Sequence, residues 1–260
     1  MLESYNGFIK KMILSMHKLL DDLKWQIEAG IDDLIGDQPN KKENSKVESI
    51  LVKEISKPTE SSVGISIKGG LHETRTVEEL KDFLLNNNIC DLQKSSKNLV
   101  FSDGDSNSNI MIISGTPDSD EDNEGMPIIE KKGELFNNIL SAANLTRSLV
   151  YIAPIIPWKI NGNRDLTSEE KIVLLPIVKK HIEIINPKIL IFLGLEPIKY
   201  LLDNDGMMKM RGKWLNYNLE EKSIECLPIL DPGFLIRRPE YKRETWNDIL
   251  SLKEKIKELI

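Results

Sequence analysis

Asn109-Ile110-Met111-Ile112-Ile113-Ser114-Gly115-Thr116-Pro117-Asp118 is the stretch whose reading decides the fold. Its apolar run, bounded by Asn109 on one side and a Gly/Pro turn on the other, has the length and β-branched content of a strand covered on both faces. Beyond the turn the chain runs through an acidic segment to Gly125-Met126-Pro127, and then into helical spacing over residues 133–143. In an open α/β sheet, ligands bind where loops leave the carboxyl ends of strands. The junction at 114–118 is therefore the first place to seek a site.

Working outward, strand-like runs recur at 149–153, 189–193 and 224–230, and helix-like runs fill 168–185, 196–202 and 241–259. Thr76-Val77-Glu78-Glu79 has the form of a capping box opening a short helix to about residue 86. Short apolar strands alternating with helices predict a three-layer α/β/α sandwich around a central four-stranded parallel sheet, over residues 76–260. Ahead of it, Ile13, Met16, Leu19, Leu20, Leu23, Ile27, Ile31 and Leu34 recur at helical spacing, predicting an N-terminal helix within residues 1–36. Its apolar stripe is suited to docking on a protein partner. Residues 37–75, rich in Lys, Glu, Ser, Asn and Pro, read as a flexible polar linker.

At 260 residues, 40% hydrophobic and 29% charged, the chain has the composition of a globular protein with a sizeable core. No apolar run approaches the roughly 20 residues that span a bilayer, and the first residues lack the secretory pattern. The expectation is a cytoplasmic protein with no membrane partner. Two cysteines, Cys90 and Cys226, exclude a disulfide framework and a four-thiolate metal site. A net charge of −6 does not by itself point to nucleic acid. Arg237, Arg238, Lys242 and Arg243 nevertheless cluster, and Lys159, Arg164, Arg211 and Lys213 add to the positive charge of the second half. A solvated face and a phosphate-tracking stripe both fit this pattern.

Five features, taken in order, carry a family resemblance. Pro117 leads through Glu121-Asp122 to Gly125, Pro127 and Gly133. Val150-Tyr151-Ile152 runs into a loop with Gly162-Asn163-Arg164 and Thr167-Ser168-Glu169-Glu170. Pro187-Lys188-Ile189-Leu190-Ile191-Phe192-Leu193-Gly194 is a third strand, and Arg211-Gly212-Lys213-Trp214 a short basic turn. Asp231-Pro232-Gly233-Phe234-Leu235-Ile236-Arg237-Arg238-Pro239, with Lys242 and Trp246, closes the set. In this order the chain resembles the uracil-DNA glycosylase superfamily, and its family 4 type in particular. That resemblance implies an enzyme that flips a damaged base from the DNA stack and hydrolyses its glycosidic bond.

The family's functional set does not carry over intact. Its acid falls on Gly115, followed by Thr116 and Pro117. Its base-stacking aromatic falls on Ile128, its base-reading asparagine on Pro154, and its charge-stabilising histidine on Asp231. These positions form the expected base pocket, with Asp118 or Asp231 left to serve the water or the sugar cation. Asn163, Arg164, Arg237, Arg238, Lys242 and Arg243 are the expected DNA contacts. Of the family's cluster cysteines, Cys90 alone sits near one position, and Trp158 stands at another. An iron–sulfur cluster takes four protein ligands, so none is expected, nor any other cofactor or metal.

Asp118, Asp120, Asp122 and Glu124 alternate like a calcium loop. The sixth and twelfth positions of that pattern, which need Gly and Glu, hold Asn123 and Ile129. A solvated acidic surface loop is the reading that remains. Cys226 reads as a buried small hydrophobe, His181 as a surface or partly buried structural residue, and Lys131-Lys132 as a solvated pair. Trp214 and Trp246 read as core anchors, whereas Trp158 lies in a loop able to face DNA. Two functions stay open: base excision with a rearranged site on uracil-containing or damaged DNA, and a non-enzymatic module binding DNA or a repair partner. A protein-binding module without a DNA role also fits the negative charge.

Overall fold

The computed structural model describes residues 70–162 and 164–259. The predicted N-terminal helix, Asn163 and most of the predicted linker lie outside the described residues. The last part of that linker does not behave as one: residues 70–73 are helical, and Leu71 and Thr74 are buried.

Helices α1 (Val77–Asn86) and α2 (Asp91–Ser95) lead to a two-residue edge strand β1 (Asp103–Gly104) and to β2 (Ile110–Ser114). There follow α3 (Ser119–Glu124), α4 (Glu130–Ala142), β3 (Tyr151–Pro154), α5 (Ser168–Ile185), β4 (Ile189–Leu193), α6 (Leu195–Leu201) and α7 (Met207–Met210). The chain closes with β5 (Leu215–Leu219), β6 (Lys222–Ile229), α8 (Pro232–Arg237) and α9 (Lys242–Leu259). Capping boxes start α1 at Thr76 with Glu79 and α5 at Thr167 with Glu170, each satisfying orphan amides at both ends of the first turn.

The sheet order is β1-β3-β2-β4-β6-β5. Its inner four strands are parallel, as the apolar runs predict, but the sheet is mixed: β1 and β5 add antiparallel edges. Every residue of β2, β3 and β4 is buried, because helices cover both faces. Alternate residues of β2 divide between them. Met111 and Ile113 pack with Leu80, Leu84, Leu174 and Ile177, while Ile110 and Ile112 pack with Phe136, Leu140, Ile249 and Leu252. Thus α1 and α5 form one outer layer, α4 and α9 the other. Among the described residues no helix is long and apolar enough to cross a membrane.

Candidate active site at the carboxyl ends of the parallel strands

From β2 the chain turns to β3 on one side, whereas from β4 it continues to β6 on the other. The connections therefore part between β2 and β4, and a crevice opens at such a switch point. Gly115, Thr116, Pro117 and Asp118 leave β2 here, and Gly194, Leu195 and Glu196 leave β4. Pro154 ends β3 in register with Ser114, and Asp231 follows β6.

The acidic segment is not a solvated loop. Asp118 caps α3 with Oδ1 accepting from the amides of Asp120 and Glu121, both at 3.0 Å. Glu121 is 5% exposed; it accepts from the Asp118 amide at 2.8 Å and the Ile128 amide at 2.6 Å. Asp122, also buried, accepts from the amides of Lys97 and Asn98. Acids concentrate here because the helix start offers amide donors and a positive dipole end.

Lys132 is no solvated residue either. Its Nζ lies 2.6 Å from Asp118 Oδ2 and 3.3 Å from Glu121 Oε1. Burial raises the Asp118 pKa, but the amide donors and the ammonium outweigh it and hold the carboxyl below its ordinary value. Burial lowers the Lys132 pKa, and its three carboxylate neighbours (Asp118, Glu121 and Asp231) reverse that to a net rise. Asp231 caps α8 through its 3.0 Å bond from the Phe234 amide. Desolvation pushes its pKa up against the pull of that amide and of Lys132.

Glu196 carries no signal in the local sequence. Its Oε2 accepts from the Thr116 amide and its Oε1 from the Thr116 hydroxyl at 3.1 Å, so the side chain bridges the β2 and β4 loops. A Cβ on Gly115 would stand 2.8 Å from Glu196 Oε2. Asp118, Asp231 and Glu196 are thus the acids that the strand ends bring to one mouth.

Ile128 is 3% exposed and packs with Phe136 and Leu140. Its φ of 54° is a left-handed conformation that β-branched residues avoid. The amide bond to Glu121 and a carbonyl bond from the Arg147 guanidinium hold it there. Backbone strain of this kind persists where surrounding contacts enforce it, commonly beside functional sites.

Exposed Arg237, Lys242 and Arg243, together with half-buried Arg238, surround the turn Pro239–Tyr241 between α8 and α9. Because α8 begins at the end of β6, this basic turn lies beyond the same edge of the sheet. Lys242 and Arg243 occupy the first turn of α9, where positive charge opposes the helix dipole. Arg164 is bidentate to Glu170, with both N–O distances 2.7 Å.

Other aromatic and histidine expectations change. Trp158 is buried and lies in the main core, not on a DNA-facing surface. Trp246 is 52% exposed, so it anchors no core, while half-buried Trp214 donates to Ser251 Oγ at 2.9 Å. His181 lies fully inside, stacked on Phe101 at 4.8 Å and 2.7 Å from the Tyr151 hydroxyl. Burial drives its pKa down to about 3. Cys226 is buried in β6, its thiol pushed up to about 12 by desolvation. The donor set does not fit a four-ligand iron–sulfur cluster: the chain has two cysteines, and no three His, Cys, Asp or Glu side chains among the described residues are placed to hold a metal ion.

The fold is thus a three-layer α/β sandwich whose parallel strands end in acid-bearing loops at the switch point, where open sheets of this kind bind ligands. Residues 101–250 match the model of the uracil DNA glycosylase superfamily, and the chain belongs to that superfamily. It is similar to the type-4 uracil-DNA glycosylase of Saccharolobus solfataricus, 30% identical over 171 residues, 64% of this chain and 79% of that protein. The enzyme of the same name from Sulfurisphaera tokodaii is 26% identical over 185 residues, covering 69% and 84%. That from Thermotoga maritima is 28% identical over 172 residues, covering 65% and 88%.

Proposed function

We propose that this protein is a base-excision glycosylase that hydrolyses the N-glycosidic bond of uracil or another damaged base flipped out of DNA, with a rearranged catalytic set. The observation that carries the reading is the placement of Asp118, Glu196 and Asp231 on the segments that leave β2, β4 and β6, where Lys132 interacts with both aspartates and Thr116 holds Glu196, with the Arg237–Lys242 turn following α8. Glycosidic cleavage develops positive charge on the sugar, which carboxylates stabilise. The basic turn neutralises phosphates flanking the extruded nucleotide, supplying affinity without sequence preference. Gly115, Thr116, Pro117, Ile128 and Pro154 shape the pocket that receives the base. Pro154 offers no side-chain hydrogen bond at the position where the resembled family reads the base with an asparagine. No step is routed through an iron–sulfur cluster, for which the two cysteines do not supply the usual four ligands.

A second reading is a DNA-binding relative that cleaves nothing. It is favoured by the Asp118–Lys132 ion pair, which neutralises an acid at the mouth. Oligonucleotides with a single uracil, single- and double-stranded, separate the two. Alkali-sensitive breakage at the uracil supports excision, whereas salt-sensitive binding without breakage supports the second reading.

A further inference from the structure

We propose that Glu196 is the catalytic carboxylate of this site, reaching from α6 into the space that the bare Gly115 leaves open; this inference rests on the glycosylase reading above. The carboxylate oxygen lies within 2.8 Å of the point where a Cβ on residue 115 would stand. A side chain at 115 would therefore push the Glu196 carboxylate from this position, and in this chain the glycine leaves room for it. Thr116 holds it with two donors, the amide to Oε2 and the hydroxyl to Oε1. This fixes both oxygens across the gap between β2 and β4. A carboxylate has about four lone-pair sites, so two donors leave acceptor capacity for a water.

The neighbouring acids are already matched. Asp118 faces Lys132 at 2.6 Å, and Glu121 is used by two amides and the same ammonium. Asp231 caps α8, packed around Gly233 with the Lys132 stem and the Arg237 guanidinium. An ion pair presents little net field to a developing sugar cation. Among the described residues the polar contacts of Glu196 are to Thr116 alone, and no lysine or arginine ion-pairs with it. In the step assigned to it, the C1′–N bond breaks with its electron pair leaving on the base. A water oxygen bonds to C1′, its proton passes to Glu196 and then to solvent, and the base anion takes a proton from solvent.

The test compares full-length wild type with Glu196→Gln, which preserves size and one hydrogen bond with Thr116. Free uracil release is measured alongside affinity for duplexes carrying a cationic pyrrolidine abasic analogue or its neutral tetrahydrofuran counterpart. Thermal melting checks that the variant folds; if it does not, Gly115→Ala displaces the carboxylate by the opposite route. The expectation is a loss of uracil release of roughly 10²-fold or more, loss of the wild-type preference for the cationic analogue, and retained binding to the neutral one. Uracil release undiminished in Glu196→Gln overturns the inference and leaves the glycosylase reading standing. A Glu196-dependent cation preference without uracil release upholds the carboxylate and rejects uracil as the substrate. Neither release nor preference in the wild type overturns both.

Discussion

Lys132 on α4 and Asp118 at the start of α3 meet at 2.6 Å, and the same ammonium reaches the buried Glu121 at 3.3 Å. One side chain therefore ties the acidic turn after β2 to the helix that packs beneath it. Lys132→Met removes the cation and leaves Glu121 short of a partner. Asp118, more exposed, is partly rescued by water. The expected loss is about 2 kcal/mol, seen as a melting temperature lower by roughly 5 °C. An unchanged melting temperature contradicts the structural role given to Lys132.

Stability should fall with acidification in two windows. Buried His181, with its native pKa near 3 against 6.5 when free, is neutral in the fold and protonates in the unfolded chain. The unfolded state thus binds more protons below pH 6.5, so stability declines progressively from there toward pH 3. Between pH 6.5 and 5 the decline is about 2 kcal/mol. Asp118, whose native pKa is depressed, adds stability that is complete above its unfolded value of 3.8 and disappears as pH falls through the native one. Urea unfolding at pH 7 and 5 tests the first window. His181→Phe should be weaker at pH 7, because Tyr151 loses a partner, yet flatter between the two; an equal slope contradicts the assignment.

Arg237→Ala with Arg238→Ala should weaken binding to all DNA sequences alike. It should also reduce the dependence of log affinity on log salt by roughly 0.9 for each phosphate no longer neutralised. Fluorescence anisotropy between 50 and 200 mM salt, taken as about the useful range, measures it. An unaltered slope places the DNA elsewhere.

Gly212 adopts φ 69° with its hydrogen facing Asp248, where a Cβ would stand 2.1 Å from Oδ1. Gly212→Ala must displace the carboxylate that Arg211 grips at 2.7 and 2.8 Å. The expected destabilisation is about 2 kcal/mol or more, and a melt matching wild type contradicts it.

The parallel strands were legible because double burial writes them as unbroken apolar runs, as in Ile110 to Ile113 and Ile189 to Leu193. The edges were not. Asp103-Gly104 is too short to leave a pattern, and β5 alternates Leu215, Tyr217 and Leu219 with exposed Asn216 and Asn218, a half-buried strand whose polar face masks it. The acidic turn misled because its composition suggests solvent. The spacing of Asp118 and Glu121 is that of a capping box and held the signal for α3. Glu196 escaped notice because its meaning depends on Thr116, 80 residues earlier, and on a missing side chain at Gly115. Such a relation belongs to the crevice and to no local motif.

The most direct measurement is the release of free uracil, quantified by mass spectrometry, from a uracil-containing oligonucleotide incubated with purified full-length protein. Uracil is expected in stoichiometric step with abasic sites, above an identically prepared Glu196→Gln control. No uracil released from single or double strands, by a wild type that also shows no preference for the cationic abasic analogue, would contradict the glycosylase reading.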